Sequence, residues 1–326
     1  MKDAIMSALV LAAKRCKEES ENLTKRVVGE KEDVVTKGDI ELGTLITKIL
    51  LISKRQILVE SEETEPKDNL EEGTTEDYYV AIDDIDGTNN LRVGNGKLPY
   101  CSMIVAFDGS KKTEEGYKYS DYTHAACLDY MTGRIYYTEK GLGRVEEYDL
   151  NWHKMSDSTQ NIQDNTNLAL TLSTDVVSTR RGGSVGYAAS TNVETEMLPG
   201  ELDPVYKAYA ITDSGCSVFE YAMVGMGIRN GYVSSGKKEH ELPLLYAFAA
   251  ETGKEMIDFE GKSYGDKIYH FKGKNAEVIA ADKETAQKIR KMILRQRFVN
   301  SKLAEVYQER FAKKDMSIDI DDEEVK

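Results

Sequence analysis

Tyr78-Tyr79-Val80-Ala81-Ile82-Asp83-Asp84-Ile85-Asp86-Gly87-Thr88-Asn89-Asn90 is the stretch on which the reading of this chain turns. The run Tyr78 to Ile82 has strand character, and it leads straight into three carboxylates within four positions. Carboxylates packed this densely repel one another, so a cation normally shares them. Hard oxygen ligands suit Mg²⁺. Gly87 lets the backbone approach a ligand closely, and Thr88 or Asn89 can cap a following helix. Free amides at the start of that helix would meet a phosphate. The competing reading is a solvated acidic turn after a strand. The apolar strand before the acids and the helix-start residues after them weigh against it.

A second acidic group lies upstream, in Ile57-Leu58-Val59-Glu60-Ser61-Glu62-Glu63. Here too an apolar strand ends in carboxylates. A parallel pairing with the strand that opens at Tyr78 would bring both sets together, and ligands bind outside the carboxyl ends of such strands. Taken alone, this segment reads equally well as an acidic loop start.

Composition narrows the setting. The chain has 326 residues and a formal net charge of −14, which argues against a broad nucleic-acid-binding face. An anionic substrate stays open, because bound cations reverse the local sign of an acidic site. Cys16, Cys101, Cys127 and Cys216 form no CxxC pair, so the expectation is a reduced, cytoplasmic protein without a zinc site. The apolar run Ala4 to Ala13 is followed, not preceded, by Lys14-Arg15-Cys16-Lys17. It is read as an amphipathic helix, not a signal peptide. No apolar run reaches the ~20 residues of a membrane span.

Along the chain, helical patterns are expected over Lys2 to Asn22 and from Asp39, where Ile40, Leu45, Ile46, Ile49 and Leu50 recur at helical spacing. Strands are expected at Gln56 to Glu60, Cys101 to Phe107, Thr123 to Leu128, Arg134 to Thr138, Leu168 to Leu172, Gly231 to Val233 and Glu277 to Ala281. Helices are expected at Ser217 to Ile228 and Leu242 to Thr252, then in two charged stretches to Lys314. A polar region places the domain boundary near 145, giving an α+β metal-site domain (1–145), an α/β domain (146–314) and an acidic, disordered tail (315–326).

Together the two acidic motifs resemble the inositol monophosphatase superfamily, which includes fructose-1,6-bisphosphatases and nucleotide bisphosphate phosphatases. That family carries a Glu pair after one strand and D-P-I-D-G-T after the next. Val34-Val35-Thr36-Lys37-Gly38-Asp39, Leu98-Pro99-Tyr100, Thr132 to Tyr137 and Ser214-Gly215-Cys216-Ser217 look like further segments of it. The resemblance covers roughly residues 30 to 282. It implies an α/β fold, a layered αβαβα sandwich, and a Mg²⁺-dependent phosphomonoesterase acting on a small phosphorylated polyol or sugar, of the inositol monophosphate or fructose 1,6-bisphosphate class. It also implies a homodimer. Carried over residue by residue, Glu62, Asp83, Asp86 and the carbonyl of Ile85 would hold metals. Glu62, Thr88 and Asp83 would serve catalysis, and Gly87, Thr88, Gly215 and Cys216 would bind substrate.

The sequence departs from the family pattern at three places. Asp84 stands where the family has proline. Counting back from Glu251-Thr252-Gly253 puts His240-Glu241 at its Trp-Asp position, so Glu241 becomes either a metal ligand or a helix-start acid. Ser234 stands where inositol-cleaving members have a glutamate. A lone histidine before a helix, His240, reads as a cap or surface residue. Arg180-Arg181 reads as a solvated basic turn, with a hold on a second phosphate as the alternative.

Competing functions remain. One is a nucleotide bisphosphate phosphatase of the same superfamily. A second is a haloacid dehalogenase-type phosphatase with Asp84 as nucleophile and Asp86 as general acid. A third is a non-catalytic homologue that binds a phosphorylated ligand. No nucleic acid polymer and no membrane is expected as a partner.

Overall fold

A computed structural model describes residues 1–24, 26–28, 35–94, 97–160, 169–174, 202–208, 210–212, 214–273 and 276–311. The chain opens with helix α1 (Lys2–Leu23), a small ribbon of β1 (Arg26–Val28) and β2 (Val35–Thr36), and helix α2 (Lys37–Leu51). Strands β3 (Ile57–Ser61), β4 (Lys67–Asp68) and β5 (Tyr78–Asp86), helix α3 (Thr88–Gly94) and β6 (Cys101–Asp108) follow. After β7 (Tyr117–Lys118) come β8 (Tyr122–Asp129), β9 (Arg134–Glu139), β10 (Glu146–Tyr148) and β11 (Lys154–Asp157). The second half holds β12 (Ala169–Thr174), α4 (Asp203–Ala208), β13 (Ala210–Thr212), α5 (Ser217–Gly225), β14 (Gly231–Lys237) and α6 (Leu242–Glu251). It closes with β15 (Glu255–Ile257), β16 (Ile268–Tyr269), β17 (Ala276–Ala281) and α7 (Lys283–Phe311).

Two large sheets result. The first has eight strands in the order β11-β10-β9-β8-β6-β5-β3-β4. It is antiparallel except where β3 and β5 run parallel, with Ser61 opposite Ile82. The second has the order β13-β12-β14-β17-β15. Period-two alternation explains the layering. On β5, Val80 and Ile82 join Leu42, Ile46 and Leu50 of α2 in one buried cluster. Tyr79 and Ala81 point the other way, into a cluster with Val218 and Tyr221 of α5 and Leu245 and Phe248 of α6. Tyr232, Val278 and Ala280 of the second sheet close that cluster from beyond. Val233 and Ile279 face outward onto Val205 of α4 and Ala286, Ile289 and Ile293 of α7. The first sheet, and the second around β14 and β17, are therefore covered on both faces, and the αβαβα layering expected from the resemblance is present.

Two expectations need correction. The boundary near 145 falls inside the first sheet, because Glu146, Glu147 and Tyr148 pair antiparallel with Tyr137, Tyr136 and Ile135 and so extend it. The two charged helices at the end are one, Lys283–Phe311. The expected tail (315–326) and Arg180-Arg181 lie outside the described residues. Among the described residues no helix is long and apolar enough to cross a membrane.

The alternation continues into the acids and separates them. Asp84 shares the α2 side with Ile82, and its carboxylate packs directly on Gly43, where a Cβ would stand 2.2 Å from Asp84 Oδ1. Overpacking of this kind costs about 1–3 kcal/mol. Gly43→Ala is expected to lower stability by about that amount in urea unfolding, and Asp84→Ala in the same chain is expected to restore most of it. A neutral Gly43→Ala would contradict this packing.

Candidate metal centre

The centre forms where β3 and β5 end side by side. Glu62 follows the last residue of β3, Ser61, which pairs with Ile82, the residue before Asp83. Pairing of β5 with β6 shifts register between Asp83 and Asp86. This irregularity keeps Ile85 in the α2-side cluster and lets Asp86 accept a hydrogen bond from the Val218 amide of α5 at 2.6 Å. From the second half, a single 3₁₀ turn (Glu239–Glu241) between β14 and α6 delivers His240 and Glu241.

Two sets of possible ligand atoms lie within 4.8 Å of one another, Glu62–Asp83–His240 and Asp83–Asp86–Glu241, and Asp83 belongs to both. His240 is 4% exposed, and its Nε2 lies 3.3 Å from Glu62 Oε2, 3.5 Å from Asp83 Oδ2 and 3.7 Å from Glu241 Oε1. Asp83 is buried and its Oδ1 has no hydrogen-bond partner. Burial pushes the Asp83 carboxyl up to about 7 although His240 pulls the other way. Burial would also raise Glu62, but His240 and then Lys238, 3.0 Å away, hold it down at about 2. Burial alone would lower the pKa of His240, but Asp83 and Glu62 carry it well above the ordinary histidine value. Burial raises Asp86 to about 6 against the pull of Lys237. Burial and the charge of Glu62 raise Glu63 to about 7.

Beside the carboxylates stands a hydroxyl. Thr88 Oγ1 is 3.0 Å from Asp39 Oδ1 and 2.9 Å from the Ile85 carbonyl. Asp39 is fixed in turn, its Oδ2 accepting from the Thr36 amide at 2.7 Å and from the Thr36 hydroxyl at 2.5 Å.

Of the residues singled out in the sequence, Glu62, Asp83, Asp86 and Glu241 converge, with Thr88 and the Ile85 carbonyl at the edge. Glu241 makes no side-chain cap bond to α6; instead it pairs with Lys237, 2.7 Å away. Gly87 holds φ +84° with Pro99 O 3.0 Å from where a Cβ would stand, so a side chain there would be strained as well as crowded. Cys216 is buried, its thiol 3.6 Å from the Asp86 carbonyl and its amide 3.3 Å from Ser214 Oγ. Its side chain therefore serves packing and is not open to a substrate; Gly215 stands against Asn90. Asp84 does not join the acids. It is buried on the α2 side, accepts from Ser61 Oγ at 2.7 Å, and burial pushes its carboxyl well above the usual range. A nucleophile would have to face the other acids, so the dehalogenase-type reading loses its central residue.

His240 is the main correction. Neither cap nor surface residue, it sits at the centre of the acids. Lys237, Lys238, Glu63 and Asp39 were not assigned roles from the sequence. Glu63 carries a signal as the second member of the Glu pair after β3, and Asp39 through the Val35-Thr36 strand with a Thr-x-x-Asp helix start.

The metal-free protein is expected to show the sign of these shifts. Asp83, Asp86 and Glu63 titrate above the ordinary carboxylate range, so the stability they lend is full below about pH 4 and lost as pH rises through 6 to 7. His240 has the same sign. Glu62 has the opposite one, its contribution being lost as pH falls from its ordinary value toward about 2. Thermal melts in chelator are therefore expected to decline by ~5 °C or more between about pH 5 and pH 8. The decline should be smaller in Asp83→Asn; a flat or rising profile would contradict the crowding.

No family model matches the chain, and no curated protein matches it. Solved structures do. The extragenic suppressor protein SuhB from Bartonella henselae aligns at TM-score 0.63 with 15% identity, over 90% of this chain and 97% of that one. A staphylococcal inositol monophosphatase-1, in a LiCl-soaked inhibitory complex, aligns at 0.62 with 17% identity over 89% and 93%. An inositol monophosphatase/NADP phosphatase complexed with NADP and Ca²⁺ aligns at 0.62 with 17% identity over 89% and 94%. At such identities the likeness is one of architecture, and on that ground the chain has the inositol monophosphatase-type fold.

Proposed function

We propose that this chain is a divalent-cation-dependent phosphoric monoester hydrolase acting on a small phosphorylated polyol or sugar. The observation that carries the reading is the meeting of Glu62, Asp83 and Asp86, at the ends of two parallel strands, with Glu241 from the turn before α6, and with Asp83 Oδ1 buried and without a hydrogen-bond partner. An orphaned buried carboxylate oxygen beside a second carboxylate and an imidazole nitrogen fits a cation. Glu62, Asp83 and His240 would hold it. The carboxylates suit Mg²⁺ or Mn²⁺, and the imidazole in the same set also suits Zn²⁺. Such an ion supplies positive charge at the phosphoryl oxygens and lowers the pKa of a water.

The rest falls to the chain's own residues. Asp39 accepts the Thr88 proton and leaves the Thr88 oxygen free to accept from a water. Glu62, held ionised beside His240, would accept a hydrogen bond from that water and orient it. Phosphoryl transfer needs positioning and charge neutralisation more than covalent help. The known structures of this fold also support the reading, since two of them are phosphatases by name. The resemblance further suggests a homodimer and the cysteine usage a cytoplasmic protein, which sedimentation and cell fractionation would test.

Phosphate release is to be measured with Mg²⁺, Mn²⁺ or chelator against inositol monophosphates, fructose 1,6-bisphosphate, other sugar phosphates and adenosine bisphosphates. Asp83→Asn and Asp86→Asn are each expected to lose at least ~100-fold in turnover, while Asp84→Asn stays within several-fold of wild type. Turnover that persists in chelator, or near-wild-type rates in both site variants, would contradict the proposal. No release from any substrate with any cation would leave a phospho-ligand-binding protein.

A further inference from the structure

The second ligand set, Asp83–Asp86–Glu241, has the spacing a second cation needs, yet a cation of the protein's own is already there. Lys237 is 2% exposed. Its Nζ lies 2.9 Å from Glu241 Oε1, 2.7 Å from Glu241 Oε2 and 2.6 Å from Ser217 Oγ. Of the charged groups acting on Asp86, Lys237 acts most strongly. The side chain is held in place from both ends. Lys237 closes β14, where pairing with β17 shifts register between Ser234 and Lys237, and Ser217 opens α5. A lysine is seldom buried without partners, because an ammonium out of water must be paired and hydrogen-bonded to be tolerated. Here both oxygens of one carboxylate and a hydroxyl meet that need.

We infer that the Lys237 ammonium is a tethered cation that fills the Asp86–Glu241 half of the centre, leaving a single divalent ion to the Glu62–Asp83–His240 half. The inference rests on the metal-dependent reading above and refines it. A divalent ion placed on Glu241 would have to share oxygens with an ammonium less than 3 Å away, and like charges that close exclude each other. The two halves also differ in chemistry. One offers an imidazole nitrogen, His240 Nε2, that has no hydrogen-bond partner, a donor an ion needs. In the other, Glu241 is already engaged by Nζ, and Asp86 by the Val218 amide. Lys237 thus acts as a positioning residue that contributes fixed charge, independent of cation supply.

The test is Mn²⁺ binding to the full chain after metal stripping, followed by equilibrium dialysis and electron paramagnetic resonance. Sites counted are those lost in Asp83→Asn, which sets aside weak binding to the acidic surface. Wild type is expected to hold one Mn²⁺ per chain with an uncoupled six-line spectrum. Lys237→Met, checked for folding by circular dichroism, is expected to hold two, with spin coupling through the shared Asp83. Lys237→Arg keeps the charge and is expected to stay at one. Two ions per chain in wild type would overturn the tethered cation while keeping the metal-dependent reading. A folded Lys237→Met that stays at one ion would also overturn it. If Lys237→Met does not fold, the wild-type count decides alone. Wild type that binds no Mn²⁺ at millimolar concentration removes the metal-dependent reading, and this inference with it.

Discussion

Everything at the centre of this protein follows from the repulsion among carboxylates that the fold forces out of water and into contact. Asp83 is almost wholly buried, and Glu62, Asp86 and Glu241 supply ligand oxygens around it. At separations of a few ångströms and low local dielectric, such repulsion amounts to several kcal/mol. It has to be met by cations, protons or hydrogen-bond donors. The chain answers with His240 against Glu62 and Asp83, Lys238 against Glu62, Lys237 against Glu241, and the Val218 amide against Asp86. Asp83 Oδ1 is buried without a hydrogen-bond partner, and that is the opening for an ion.

The layered fold makes this crowding tolerable. Parallel pairing of β3 with β5 fixes Glu62 beside Asp83. The alternation of β5 sends Asp83 toward α5 and α6 while Asp84 is turned onto Gly43 of α2. Adjacent acids therefore meet different fates. One is held among ligands, the other beside Ser61 with its carboxyl pushed up well above the usual range. The second half of the chain then closes over the acids with groups drawn from β14, from the turn before α6 and from the first turn of α5. The apolar packing between the sheets (Tyr79, Tyr221, Leu245, Phe248, Tyr232) holds these elements in register. Electrostatic strain at one point is thus borne by hydrophobic burial spread over three layers.

How far the sequence could be read follows from the range of each signal. Strands β5, β6, β8 and β9 were legible because their apolar runs are local and dense. The pairing of two acid-ended strands followed from their similarity. Glu62, Asp83, Asp86 and Glu241 were all marked before the structure, although Glu241 could equally have been a helix-start acid. What was not legible depends on distance in the chain. His240 acts on Glu62 and Asp83, and Lys237 on Asp86, each more than 150 positions away, and nothing in Lys237-Lys238-Glu239-His240-Glu241 distinguishes it from a solvated charged turn. The same holds for Cys216, whose burial against Gly87 is set by tertiary packing. The boundary near 145 falls inside the sheet for a different reason: the polar residues of β10 and β11 are ion-paired within it, Glu146 buried against Arg144 and Lys154, and mark no break between strands.

The central claim is that the opening at Asp83 is a cation site shared with Glu62 and His240. Diffraction from crystals grown with Mn²⁺, recorded at the manganese edge, tests it most directly. The account expects an anomalous peak at bonding distance, about 2.0–2.3 Å, from an Asp83 carboxylate oxygen, a Glu62 oxygen and His240 Nε2. It also expects Lys237 still on Glu241. Absence of any peak among these groups at saturating Mn²⁺, with His240 still seated between the two carboxylates, would contradict it.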